Sequence, residues 1–286
     1  MNKYLAFDVG GTTIKAALID ESQGITYVGK YSTNRNQNDC ILKIIDQVSR
    51  KVCACEHCSG VGISTAGIVD EKNGRIMYAG PTIPGYMGTE LGSTLSASVH
   101  LPIRVVNDVD AALLGELLCG CAQSYTDVYC VALGTGIGGA HYVDGKLING
   151  AHWRANSVGY MDAGLDNYLT WEQRSSTIAL EKRLSGLGLT PIDAFAQMDR
   201  DPNVGHIMMK WFDEIGRGLA NIILIIDPEL LLIGGAVSLQ EECLIKPLKT
   251  AVRRHLPKGF LDTEIKAAQL HNDAALYGAV APFIME

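Results

Sequence analysis

Runs of apolar residues broken by glycine turns alternate along this chain, and one order of them occurs twice. The first begins Tyr4-Leu5-Ala6-Phe7-Asp8-Val9, turns at Gly10-Gly11-Thr12-Thr13, resumes at Ile14 and reaches a polar turn at Asp20-Glu21-Ser22. The second runs Val128-Tyr129-Cys130-Val131-Ala132-Leu133, turns at Gly134-Thr135-Gly136, resumes at Ile137 and ends at Asp144-Gly145-Lys146. Both predict strand–turn–strand hairpins. The first is followed by a predicted helix over 42–52, a glycine-bearing strand over 61–67, a strand over 101–108 that ends in Asn107-Asp108, and a helix from Ala111. The second half repeats the order with a strand over 230–236, a strand from Ala267 that runs into Asn272-Asp273, and a helix from Ala274. A repeated order of elements points to duplication of a structural unit. Two glycine hairpins then suggest a nucleotide clamped between related halves.

Extra material fills 151–209 of the second half. It carries a predicted helix over 175–184, stopped by Gly186 and Gly188. A helix over 209–226 follows, apolar on all sides and so expected to be buried, with Asp227-Pro228 as its stop. The expected class is α/β with two lobes. Residues 1–107 form the smaller lobe, the C-terminal helix 273–286 crosses back to it, and residues 108–272 form the larger one.

Composition narrows the functions. Hydrophobic residues make up 47% and charged residues 19%, as in a folded protein. A formal charge of −7 without a basic stripe argues against a nucleic-acid binder. Asp8 interrupts the early apolar run, so no signal peptide is read, and 219–226 is too short to span a bilayer. A cytoplasmic location is expected. The eight cysteines are then read as reduced thiols. Cys53, Cys55, His57 and Cys58 invite a zinc reading, yet no second ligand pair follows at finger-like spacing. Cys119 and Cys121 carry less still.

Gly134, Gly136 and Gly139 match the dinucleotide fingerprint in spacing, but a strand follows them where the fingerprint needs a helix. No Walker-type Gly-Lys-Ser is present. A hairpin turn can still hold phosphate, because glycines let the backbone come close and consecutive N–H groups form an anion nest. Thr12, Thr13 and Thr135 add hydroxyls. Tight structural turns are the alternative for either hairpin alone. Asp8 leaves its strand directly before the glycines, where a carboxylate suits Mg²⁺ held through water, or simply caps the turn. Asn107-Asp108 ends a strand, so Asp108 is a candidate base for a substrate hydroxyl. The same pair can cap the helix that follows, and the two readings are compatible.

The segments Asp8-Val9-Gly10-Gly11-Thr12-Thr13-Ile14-Lys15, Val106-Asn107-Asp108-Val109-Asp110-Ala111-Ala112-Leu113-Leu114-Gly115-Glu116 and Leu133-Gly134-Thr135-Gly136-Ile137-Gly138-Gly139 resemble the repressor/open-reading-frame/kinase (ROK) family of sugar kinases. Asp144-Gly145-Lys146-Leu147-Ile148-Asn149-Gly150-Ala151 and Asn272-Asp273-Ala274-Ala275-Leu276-Tyr277-Gly278-Ala279 extend the resemblance over essentially the whole chain. It implies the actin-like (ribonuclease H-like) ATPase fold, two related lobes around a central cleft, with ATP and Mg²⁺ as cofactors. By resemblance Asp108 is the base. Asp8, Gly10, Gly11, Thr12, Thr13, Lys15, Gly134, Thr135 and Gly136 serve the phosphates, and Gly234-Gly235 the adenosine side. Thr65, Thr82, Asn107, Ser157, Tyr160 and Glu172 join Asp108 around the sugar. A homodimer is the family expectation. Family repressors carry an N-terminal helix-turn-helix, whereas this sequence opens on its first strand, which fits the kinase branch.

The departures bear on substrate. The family's Glu-x-Gly-His reads Ser157-Val158-Gly159-Tyr160, and its zinc loop has no cysteine counterpart in 161–168, so no structural zinc is expected. Glu172 resembles a later sugar-contacting carboxylate. Two usual asparagines read Thr82 and Asp110. Losing two polar groups at the C1/C2 end relaxes the demand for a free reducing sugar, and Trp153 and Tyr160 offer aromatic surface instead. The pattern is similar to β-glucoside kinases, with N-acetylmannosamine kinase and glucokinase as alternatives. A non-catalytic sugar sensor is the reading from another class. The lost Glu and His favour it, and the retained turns and Asp108 oppose it.

Overall fold

The computed structural model describes residues 2–161 and 169–285. In chain order it begins with β1 (Lys3–Val9), β2 (Thr13–Asp20), β3 (Ile25–Ser32), α1 (Cys40–Glu56), β4 (Gly60–Thr65), β5 (Ile68–Asp70), β6 (Arg75–Tyr78), α2 (Leu91–Val99), β7 (Ile103–Asn107) and α3 (Asp108–Cys119). It continues with β8 (Asp127–Leu133), β9 (Ile137–Val143), β10 (Lys146–Leu147), α4 (Trp171–Ser175), α5 (Thr177–Leu184), α6 (Pro191–Gln197), α7 (Pro202–Ile226), β11 (Leu230–Gly234), α8 (Glu242–His255), β12 (Glu264–Ala267) and α9 (Ala274–Ile284). These form two compact units. Unit 1 comprises 1–123, 150–154 and 272–286, and unit 2 comprises 124–149 and 155–271.

Unit 1 holds a sheet in the order β3-β2-β1-β4-β7. The β1–β2 hairpin is antiparallel, whereas β1, β4 and β7 run parallel. Period-2 patterning buries both faces of β1. Leu5, Phe7 and Val9 join a core with Ile41, Ile45 and Val48 of α1. Tyr4 and Ala6 face Leu276, Ala279 and Val280 of α9. Helices α3 and α9 lie backbone against backbone: a Cβ on Gly278 would come within 1.6 Å of the Ala111 carbonyl oxygen. That contact keeps α3 in unit 1, so the division falls after Gln123 and not at the expected 107–108.

Unit 2 has a sheet in the order β10-β9-β8-β11-β12, again with an antiparallel hairpin followed by parallel strands. Tyr129, Val131 and Leu133 of β8 pack in one core with Trp211, Phe212, Ile215 and Leu219 of α7.

Three elements differ from the sequence expectation. The helix expected over 175–184 is two helices, because Ser176 adopts an extended backbone (φ −66, ψ 169) and caps α5 through the Ala179 N–H. The helix expected from Met209 starts at Pro202, where Asp201 accepts from the N–H groups of Asn203 and Val204 and Pro202 supplies the fixed φ of a first turn. It is not buried all round, since Leu224 is 50% and Ile225 77% exposed. The strand expected to run from Ala267 into Asn272-Asp273 instead ends at Ala267, and a 3-10 turn spans His271–Asp273.

Residues 162–168, on which most of the missing zinc loop was read, lie outside the described residues. The eight cysteines are free. The thiols of Cys53 and Cys58 share a hydrogen bond that pushes Cys53 up and draws Cys58 down. Among the described residues no helix is long and apolar enough to cross a membrane.

Candidate active site

In unit 1 the ends of three parallel strands line up in one row. Val9 pairs in register with Thr65, and Thr65 with Asn107. Ligands of α/β sheets bind beyond such carboxyl ends. The row gathers Asp8, the Gly10–Thr13 turn, Thr65, Asn107 and Asp108.

Asp8 and Lys15 are cross-strand partners in the first hairpin, and their side chains form an ion pair at 3.1 Å. The Lys15 ammonium also donates to the Asn272 carbonyl at 3.2 Å. It therefore fixes the Asp8 carboxylate and ties β2 to the segment before α9. The Gly10 N–H donates to the Thr13 carbonyl at 2.9 Å, which closes the turn. Gly11 lies against Thr82, whose Cβ would be 3.2 Å from a Cβ on Gly11. Thr33, unnoticed in the sequence, is fully buried and donates its hydroxyl to the Gly11 carbonyl at 2.9 Å and its N–H to that of Thr12 at 3.0 Å.

Asn107 caps α3. Its Oδ1 accepts from the Val109 N–H at 2.8 Å and the Asp110 N–H at 3.3 Å, and its Nδ2 donates to the Gly67 carbonyl at 2.7 Å and to Asp108 Oδ1 at 2.9 Å. Its amide is thus committed to the backbone and to Asp108. The Asp108 carboxyl is partly shielded. Burial first, and the negative charge of Asp8 second, push it up to about 6, against the opposing bonds from Val109 and Asn107. A base titrating there is ionised at neutral pH yet still accepts a proton readily. The buried Asp110 carboxyl is held well above the usual carboxylate range by burial and by the charges of Glu71 and Asp108. It stands where the family pattern has an Asn.

Thr65 is fully buried, and its hydroxyl lies 3.0 Å from the hydroxyl of the equally buried Tyr86. The side chain faces protein and not solvent. It anchors the loop that carries Thr82.

In unit 2 the Gly134 N–H donates to the Gly136 carbonyl at 2.9 Å and closes the second turn. Glu172, at the start of α4, accepts from the Ile137 N–H at 2.8 Å and lies over Gly136. Thr177, at the start of α5, donates to the Gly134 carbonyl twice, from its N–H at 2.9 Å and its hydroxyl at 2.8 Å. The sequence reading missed Thr177, because no local pattern marks a contact 43 residues away. Gly234 ends β11 in register with Ala132. Gly235 follows at φ 84, and a Cβ there would lie 2.2 Å from the Leu133 carbonyl oxygen. The Gly235 backbone thus sits directly against the end of β8. Ser157 is exposed before a 3-10 turn over Val158–Tyr160, and the Tyr160 ring is 68% exposed.

Asp8, Gly10 to Thr13, Lys15, Thr65, Thr82, Asn107 and Asp108 therefore belong to unit 1. Gly134 to Gly136, Ser157, Tyr160, Glu172, Gly234 and Gly235 belong to unit 2.

The chain is similar over its length to known proteins. The sequence profile of the ROK family matches residues 4–285. A β-glucoside kinase of Klebsiella pneumoniae is 30% identical over 98% of this chain and 96% of its own. Among solved structures, a ROK family glucokinase from Streptomyces griseus, in complex with glucose and AMPPNP, is 29% identical with a TM-score of 0.80, covering 97% of this chain and 98% of that one. A ROK family protein from Streptococcus pneumoniae, in complex with sucrose, is 27% identical with a TM-score of 0.85, covering 99% and 98%.

Proposed function

The chain belongs to the ROK family, whose kinases share this actin-like fold, and from that premise we propose that it transfers the γ-phosphoryl group of ATP to the 6-hydroxyl of a β-glucoside. The observation that carries the chemistry is Asp108, a carboxyl raised to about 6 at the end of a parallel strand, with Asp8 and its turn in the same row.

Asp108 orients the sugar hydroxyl and takes its proton as the oxygen attacks the γ-phosphorus. The new P–O bond forms as the bond to the β,γ-bridging oxygen breaks, and ADP leaves. Such transfers rest mostly on positioning and charge neutralisation. A base in this role contributes roughly 10²–10⁴-fold. Asn107 supports it by donating to Asp108 Oδ1. The backbone turn at Gly134–Gly136 and the Gly234–Gly235 approach are assigned to the nucleotide.

The donor set fits Mg²⁺. Lys15 holds Asp8 Oδ2, which leaves Oδ1 for a hydrated ion, whose preference is for carboxylate and water. When bound, Mg²⁺ would neutralise charge on the phosphates.

The β-glucoside assignment is supported by what replaces the acidic and basic groups of the family's anomeric end. By the family motif, Ser157 and Tyr160 take those positions; both are exposed, and the Glu172 carboxylate is engaged by the Ile137 N–H. A substituent at C1 then meets an aromatic surface and not a demand for hydrogen bonds. A coupled ADP-release assay over cellobiose, gentiobiose, glucose and N-acetylmannosamine tests this, with phosphorus NMR to locate the ester. Faster turnover of the glucosides is expected. Preference for glucose or N-acetylmannosamine would replace the substrate assignment, and sugar binding without ADP release would make the protein a sensor. A homodimer is proposed on the family resemblance, and sedimentation velocity checks it.

A further inference from the structure

Two short helices bracket the Gly134–Gly136 turn. Helix α4 presents Glu172 to the Ile137 N–H at 2.8 Å, on the outgoing side. Helix α5 presents Thr177, whose N–H and hydroxyl both reach the Gly134 carbonyl on the incoming side. Five- and eight-residue helices are too short to hold their own geometry in water. Something else must fix them.

Glu214 of α7 reaches both. Its Oε1 accepts from Arg174 of α4 at 3.2 Å, and its Oε2 accepts from Arg183 of α5 at 2.7 Å. Its backbone carbonyl accepts from the indole N–H of Trp171 at 3.2 Å. Arg183 closes the ring by donating to the Arg174 carbonyl at 2.6 Å. The Glu214 and Arg174 side chains are each 19% exposed and that of Arg183 28%, so the network is poorly screened by solvent. The stability of a domain needs no such arrangement, because α7 already packs on the sheet through its apolar face. Arg174 and Arg183 lie in the last turns of α4 and α5, and Trp171 opens α4, so the network ties both helices to α7 and fixes the axes that carry Glu172 and Thr177 to the turn.

We propose that Glu214, with Arg174 and Arg183, is a positioning device for the nucleotide: it sets the width of the Gly134–Gly136 turn through Glu172 and Thr177. The proposal rests on that turn serving the nucleotide, as argued above. Glu214 itself touches no substrate. Its loss acts on nucleotide binding through two helices.

The test measures Mg–ADP affinity by calorimetry, with thermal unfolding and steady-state kinetics on the same samples. Glu214→Gln keeps the shape and removes the charge that holds two arginines. It is expected to weaken Mg–ADP by about tenfold, on the order of 1.4 kcal/mol, and to raise KM for ATP far more than it lowers kcat, as loss of uniform binding does. Should Glu214→Gln fail to fold, Thr177 carries the test. Thr177→Val removes the hydroxyl grip and is expected to weaken Mg–ADP several-fold, and Thr177→Ser restores it. Unchanged Mg–ADP affinity in the variants, or equal loss in Thr177→Val and Thr177→Ser, overturns the positioning role. Failure of the unaltered protein to bind Mg–ADP overturns the kinase reading itself, and the inference with it.

Discussion

Replacing Asp108 by asparagine separates catalysis from stability, because the same carboxylate serves one and harms the other. Its pKa rises from an ordinary 3.8 to about 6 in the folded protein. At roughly 1.4 kcal/mol per pH unit, the ionised group destabilises the native state by about 3 kcal/mol. The sign follows from proton binding. Between pH 4 and 6 the native state holds the proton more tightly than the unfolded chain, so wild-type stability falls as pH rises through this window and is level above it. The Asp108→Asn variant has no such dependence, and its amide oxygen can still accept the Val109 N–H that now lies 3.0 Å from Asp108 Oδ1. The variant is therefore expected to be more stable than wild type at pH 8 by about 2–3 kcal/mol and to lose that advantage below pH 4. Amide hydrogen exchange on β7 and α3 reads this locally and does not require the two units to unfold together. Turnover should fall by roughly 10²–10⁴-fold, and wild-type turnover should fall off below pH 6. A stability gap that ignores pH, or a variant that keeps near-normal turnover, would refute the reasoning.

Lys15→Met leaves the Asp8 charge without its cation, so the acid limb of the wild-type pH–rate profile should move upward; an unmoved limb means Lys15 does not compensate that charge. Gly235→Ala places a Cβ 2.2 Å from a backbone oxygen at φ 84, and a loss of more than about 2 kcal/mol is expected by urea unfolding, with unchanged stability showing that the end of β8 yields easily. Tyr86→Phe removes the buried hydroxyl partner of Thr65 and should cost about 1 kcal/mol with a higher KM for sugar; an unaltered KM would detach the Thr82 loop from sugar binding.

The hairpins and the end of β7 at Asn107 could be read directly, because period-2 burial and glycine turns are local signals. So was the cap: Asn107 before an apolar helix reads as an N-cap, and it accepts from two N–H groups of the first turn. The start of α7 was also written locally, in Asp201-Pro202, but apolar periodicity pulled the expected boundary to Met209. What the sequence could not disclose were contacts between distant residues. Nothing near Tyr86 marks its bond to Thr65, and nothing near Thr177 marks the Gly134 carbonyl. Ser176 looked like a helix residue because serine is tolerated there; its extended backbone makes sense only once α4 and α5 are each held to α7. Lys15 was assigned to phosphate from its place in the motif, whereas its ammonium is divided between Asp8 and Asn272.

The repeated scaffold carries different side chains at its two turns. Both sheets have the same order and the same hairpin. In unit 1 the residue pair just inside the turn is Val9 with Ile14, followed by Asp8 with Lys15. In unit 2 the matching pairs are Leu133 with Ile137, then Ala132 with Gly138. The apolar pair is kept and the ion pair is erased. The neighbouring strand follows suit, since Asp8 lies beside Ser64 whereas Ala132 lies beside Gly234. Unit 1 thus concentrates its carboxylates at the strand ends, where each raises the proton affinity of the next, as Asp8 does for Asp108. Unit 2 clears the equivalent strand positions of charge and bulk, and the Glu172 carboxylate beside its turn is taken up by the Ile137 N–H; the remaining backbone N–H groups are the natural partners for an anion. On the proposed function, one hairpin design, kept charged in unit 1 and stripped in unit 2, would serve proton and cation chemistry with the first copy and phosphate with the second.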